Sequence, residues 1–130
     1  MDNQLKFCAP FFIADGRLDQ QADKFEENSV ECPDELPLTF EFGKDICGIV
    51  KVKQEGNKYY GEFTVLPNEY YGKKMLPYLT PAISGKIKDS TRENGVTTIR
   101  KCFIDAVTLT IGNNCDHRIK KLKDILIEEF

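Results

Sequence analysis

The sequence has no tryptophan and a single histidine, and its five cysteines fall into no close pair. Each shortage removes a class of chemistry. Ser-His-Asp and Cys-His sites need an imidazole as proton acceptor, and His117, between Asp116 and Arg118, is the sole candidate. Its neighbours suit a surface or helix-capping role better than a general base. Zinc sites draw on turn-borne ligand pairs such as C-x-x-C, and Cys8, Cys32, Cys47, Cys102 and Cys115 offer no such spacing. They read as reduced thiols used as small apolar residues. Phosphate-cradling glycine loops and a G-x-S-x-G elbow are also missing. Ser84 precedes Gly85, but inside a strand pattern. The 21 acidic residues give carboxylate pairs no specificity. No catalytic residue, cofactor or metal is expected, and the chain is expected not to be an enzyme.

A surplus of positive charge is lacking too. The net charge is −3 and the sequence pI about 5.2. Nucleic-acid binding needs Lys and Arg to displace counterions from phosphates, so no nucleic-acid partner is expected. The densest basic stretch, Arg118 to Lys123, lies among Asp116, Asp124, Glu128 and Glu129 and reads as a solvated helix face. No apolar run approaches the ~18 residues of a membrane span. The polar start Met1-Asp2-Asn3-Gln4-Leu5-Lys6 is unlike a signal peptide. The expectation is a protein made in a cytoplasm and assembled there, with no membrane partner.

What remains is ordinary globular material, 41% hydrophobic and 30% charged over 130 residues, enough for one domain spanning 1–130. Leu5, Phe7, Ala9, Phe11 and Ile13 alternate as in a half-buried strand that Pro10 interrupts. Residues 17–36 are polar, with Leu18, Ala22 and Phe25 spaced for at most a short helix. Leu38, Phe40 and Phe42 alternate as a second strand, and Gly43-Lys44-Asp45 turns. Glu55-Gly56-Asn57-Lys58 and Glu93-Asn94-Gly95-Val96 are hairpin signals. Between these two hairpins, Tyr59, Gly61, Phe63 and Val65 share a face, and Ile83, Gly85 and Ile87 form another strand. Asp116 is placed to cap a helix starting at His117, with Ile119, Leu122, Ile125, Leu126 and Phe130 as its apolar stripe. The expected class is α+β, mainly β: a compact β-barrel or sandwich of six to seven short strands with a C-terminal amphipathic helix.

The outward-pointing feature is the adjacent pairs Tyr59-Tyr60 and Tyr70-Tyr71. Side chains alternate along extended chain, so one ring of each pair faces away from the core. Exposed tyrosines bury a large area at low rotamer cost and are enriched at interfaces. Tyr60, Tyr70 and Tyr71 are therefore the candidate protein-interface residues.

Two stretches resemble a group of tailed-bacteriophage proteins related to the prohead (head-maturation) protease and to capsid-associated proteins. The first runs from Asp15-Gly16-Arg17-Leu18-Asp19 through Leu36-Pro37-Leu38-Thr39-Phe40-Glu41-Phe42 to Ile46-Cys47-Gly48-Ile49-Val50. The second runs from Leu79-Thr80-Pro81-Ala82 and Gly85-Lys86-Ile87 to Ile104-Asp105-Ala106-Val107-Thr108-Leu109-Thr110. In the protease branch a catalytic His stands at the position resembling Phe42, and a Ser near that of Thr108. The resemblance implies a protease-like β-fold without proteolysis: a phage virion structural protein of auxiliary or decoration type, made in the bacterial host cytoplasm. Its partners would be other virion proteins such as the major capsid protein, with at most weak homo-oligomers. A non-virion, cytoplasmic adaptor or regulatory domain and a hydrolase with a rearranged site are the alternatives.

Overall fold

The computed structural model of the protein describes residues 4–66 and 74–125. Strand β1, Leu5–Ile13, buries Phe7, Ala9 and Phe11 and turns Lys6 and Cys8 outward. Pro10 cannot donate to the ladder, and the register against the neighbouring strand slips between Pro10 and Phe12. The slip breaks the alternation, so Phe11, Phe12 and Ile13 are all buried.

Five further elements follow in chain order: β2 (Asp23–Phe25), β3 (Val30–Glu31), β4 (Glu35–Phe40), β5 (Ile46–Glu55) and β6 (Lys58–Val65). The β5–β6 hairpin closes at Glu55 and Lys58, with Gly56 at φ +58°. Tyr59, Gly61, Phe63 and Val65 share the buried face of β6, while Tyr60 and Thr64 are half-buried and Glu62 exposed on the other. A 3-10 turn, Leu76–Tyr78, leads into β7 (Thr80–Glu93) and β8 (Val96–Thr110). Their connecting residues Asn94 and Gly95 sit at φ 53° and 80°, the two positive values that a type I′ hairpin demands. Fourteen and fifteen residues long, these strands exceed the short elements expected. The stretch from Gly85 to Gly95 is exposed throughout and forms an arm.

Sheet order is β1-β6-β5-β4-β8, with β7 on the other edge of β8. Beyond β4 the same edge of β8 is taken by β3 and β2, all three running parallel to it. The three are one interrupted strand: Asp23 faces Thr97, Val30 faces Cys102 and Leu38 faces Val107. The mainly-β expectation holds, and the sheet curls into a half-barrel. Its end strands, β1 and β7, approach each other without pairing. Phe7 and Phe63 stack inside at 4.9 Å, and Phe11 meets Phe63 edge-on.

One expectation is sharpened and two are corrected. Residues 17–36, expected as a long excursion with at most a short helix, hold turns, the short strands β2 and β3 and the start of β4. The spacing of Leu18, Ala22 and Phe25 mimics a helical stripe, but backbone pairing with β8 claims this segment. The strands number eight among the described residues, not six or seven. The described helix, α1, spans only Leu122–Ile125, so an amphipathic helix starting at His117 is not found.

The reason for that last correction is Arg118. Asp116 does make the bond expected of a cap, accepting the Arg118 backbone N–H at 3.0 Å, but its carboxylate also accepts the Arg118 guanidinium at 2.9 and 2.8 Å. The same guanidinium grips Asp15 at 2.6 and 3.0 Å, 103 residues away in sequence. A tight turn results in place of a helical one, with the Ile119 N–H donating to the Asp116 carbonyl at 3.0 Å. Ile119 and Leu122 are nonetheless buried, and Leu122 N–H donates to the Leu79 carbonyl at 2.9 Å. Leu126 and Phe130 lie outside the described residues.

Candidate interaction site

Strand β4 ends at Phe40 although the alternation continues through Phe42. Glu41 and Phe42 both lie at positive φ, 50° and 56°, and the Gly43 N–H closes the turn on the Phe40 carbonyl at 2.9 Å. Asn-Gly is the usual occupant of such a pair, because a side chain crowds its own carbonyl there. Each non-glycine residue so held costs about 1–3 kcal/mol and persists only where its surroundings over-determine it.

Those surroundings are the last residues of β8. Glu41 N–H donates to the Leu109 carbonyl at 3.0 Å. Phe42 N–H donates to Thr108 Oγ1 at 2.9 Å. The Thr108 hydroxyl donates to the Thr39 carbonyl and accepts from the Thr39 hydroxyl. The Glu41 carboxylate accepts from the Thr110 hydroxyl at 2.8 Å and from the Ile111 N–H. This network leaves the Phe42 ring 58% exposed.

Beside it lies a groove of about 370 Å3, walled in part by Phe42. Phe12 and Phe25, packed edge-on at 4.8 Å, with Ile83, Ile87 and Phe103 give its apolar surface. Arg17, Asp19 and Lys86 contribute charge. The volume is that of a small ligand or a few side chains, and its lining mixes apolar side chains with a comparable number of polar and charged ones, Asp23 and Asp116 among them.

The arrangement holds little for acid–base chemistry. Thr108 is 1% exposed, its hydroxyl already engaged, and its neighbours in the network are a threonine, a carbonyl and an amide. His117 is exposed and lines a different hollow, with Asn114 and Asp124. The five cysteines are free. Burial pushes the Cys32 and Cys47 thiols up to about 11 and raises Cys102 and Cys115 as well, which suppresses the nucleophilic thiolate. Among the described residues no three His, Cys, Asp or Glu side chains gather as metal ligands, and no helix is long and apolar enough to cross a membrane.

Of the candidate interface residues, Tyr60 sits half-buried on the outer face of β6, opposite Lys53 and Pro10. Tyr70 and Tyr71 lie outside the described residues. The turn at Glu41-Phe42 was not legible locally, because neither residue is a turn former. Its only sequence sign is Gly43, one position late.

Replacing Phe42 by Gly tests the strain directly. Glycine tolerates positive φ, so the variant is expected to gain about 1 kcal/mol despite losing an aromatic ring. Urea denaturation measures it; a loss of stability would show that Phe42 is held by packing. No family model, curated protein or solved structure matches the chain.

Proposed function

We propose that the chain acts by association, as a capsid-associated structural protein of a tailed-phage virion, and does not turn over a substrate. One residue carries the reading. Phe42 stands where the resemblance expects a catalytic His, and its N–H meets Thr108, the nearest equivalent of the Ser, at 2.9 Å. Two positions 66 residues apart in sequence are thus neighbours, through a backbone amide and a hydroxyl. They bring a phenyl ring and an engaged threonine hydroxyl, which cannot relay a proton. The exposed ring, presented by a strained turn beside an apolar groove, suits an anchor residue in an interface.

A contact of this size is weak alone. Repeated on a particle surface, neighbouring sites raise one another's effective concentration and the contacts endure. The expected result is that the purified chain cosediments with virions of its source phage and leaves casein and the capsid precursor uncut. Phe42→Ser is expected to keep the fold and lose at least tenfold in particle retention. Retention unchanged in that variant refutes the anchor. Cleavage of the precursor by the wild-type chain restores the hydrolase alternative.

A further inference from the structure

Charge is not spread evenly along this chain. Residues 15–35 hold eight acidic and two basic side chains, a net −6. Residues 86–101, the arm of the β7–β8 hairpin, hold five basic and two acidic, a net +3. The rest balances at eleven of each sign. The fold lays the first segment along the second. Glu31 lies 3.3 Å from Lys88 and 3.6 Å from Lys101. The Thr97 N–H donates to the Ala22 carbonyl at 2.9 Å, the Glu26 N–H to the Ile99 carbonyl at 3.1 Å, and the Cys102 N–H to the Ser29 carbonyl at 2.8 Å.

This acidic strap is poorly made for its place. Its two strands are three and two residues long. Ala22 is held at φ 60°, a strained value for a residue with a Cβ, whereas Asn28 at 62° is of a type that tolerates it. Ser29 is buried, and its hydroxyl has no partner among the described residues. One aromatic, Phe25 against Phe12, anchors it. Its ion pairs to the arm, both through Glu31, are about half exposed, a setting in which such pairs contribute little. Segments of this kind open first.

We propose that the edge of β8 from Val96 to Phe103, with the basic residues of the arm, is a docking strand for an acidic extended segment of a partner protein. The strap is its built-in occupant. The choice of partner rests on charge complementarity and on the strap itself, which shows that an acidic chain running parallel to β8 fits the edge. A partner segment without the left-handed alanine and the orphan hydroxyl makes the same backbone pairs with less strain. Strand addition supplies affinity through the main chain, and Lys88 and Lys101 select the sign of charge. The surface goes beyond the virion reading and stands on other observations, so it holds whether or not a particle retains the chain.

The test uses the full chain and a fluorescein-labelled peptide copying residues 22–35, read by anisotropy. In the wild type the tethered strap competes at high effective concentration, so binding is expected to be weak. Phe25→Ala removes the anchor, and Glu31→Lys sets like charges against Lys88 and Lys101 without touching the core. Both variants are expected to bind the peptide at least tenfold more tightly, with faster hydrogen exchange at Thr97 and Cys102. The same peptide with Lys at 26, 27 and 31 should not bind. Lys88→Glu with Lys101→Glu should abolish binding. Equal affinity in wild type and both variants overturns the proposal. So does a single-stranded oligonucleotide of equal charge binding as tightly as the peptide, which would make the arm a general polyanion site.

Discussion

Gly85→Ala is expected to destabilise the protein by about 3 kcal/mol, the upper part of the range for overpacked sites. A Cβ there would stand 2.0 Å from the Phe103 carbonyl oxygen and 3.0 Å from the Ile104 Cα. Both are backbone atoms of the paired strand, so no rotamer change relieves the clash. Gly85 also marks a register slip: Ser84 faces Ala106 and Gly85 faces Ile104, leaving Asp105 as the extra residue on β8. Relief requires β7 to lift from β8 where the arm leaves the body. Urea denaturation and hydrogen exchange across residues 84–104 report it. An unchanged midpoint would mean that the arm hinges freely at this point.

Arg118→Met is the second large effect. The guanidinium is the only group joining Asp15 to Asp116 among the described contacts, and all three side chains are three-quarters or more buried. Removing it leaves Asp116 without its ion-pair partner and Asp15 with only the exposed Arg17, 3.6 Å away. Breaking a fully buried pair costs about 3–5 kcal/mol, and partial exposure lowers the expectation to about 2 kcal/mol. The hydrogen-bonded Arg118 holds the Asp15 carboxyl down to about 2. Burial works to raise the Asp116 carboxyl, but the Arg118 hydrogen bonds outweigh it, and its pKa is lowered as well. Carboxyls depressed in the folded state contribute stability that is complete above their unfolded pKa, about 3.9. That contribution fades as pH falls from about 4 toward 2. Thermal melts from pH 7 to 2 should show this acid limb in the wild type and a flatter one in Arg118→Met. Parallel curves would assign the acid loss to other groups.

The parts of this fold that sequence reveals are those decided within a few residues. Gly56-Asn57 and Asn94-Gly95 announce their hairpins because positive φ selects Gly56, Asn94 and Gly95. Alternation from Tyr59 to Val65 assigns the buried face of β6, and Tyr60 does turn outward. What was not legible depends on partners far along the chain. Residues 23–25 carry a helix-like spacing, yet Thr97 to Ile99 pair with them as a strand. Asp116 makes the backbone bond of a cap, yet its carboxylate is also held by the guanidinium that grips Asp15, and no helix starts there. Phe42 continues an apolar alternation, yet Thr108 and Leu109 bend the chain into a turn its own residues disfavour. The candidate site is the hardest part to read because it departs from local preference, as strained sites do.

The outer edge of β7 has a consequence for copies of the protein crowded together. An unpaired strand edge is a template on which an identical edge can seat, and a row of such contacts grows into fibres. Two-fold antiparallel pairing brings together residues an even number of positions apart. Centred on Asp89, the acid meets itself. Shifted to Ser90, Lys88 meets Arg92; to Thr91, Asp89 meets Glu93; to Arg92, the guanidinium meets its own copy. Like charges directly opposite are repelled in all four alignments. The outermost strand therefore carries a charge pattern that disfavours antiparallel pairing of its open edge with its own copy.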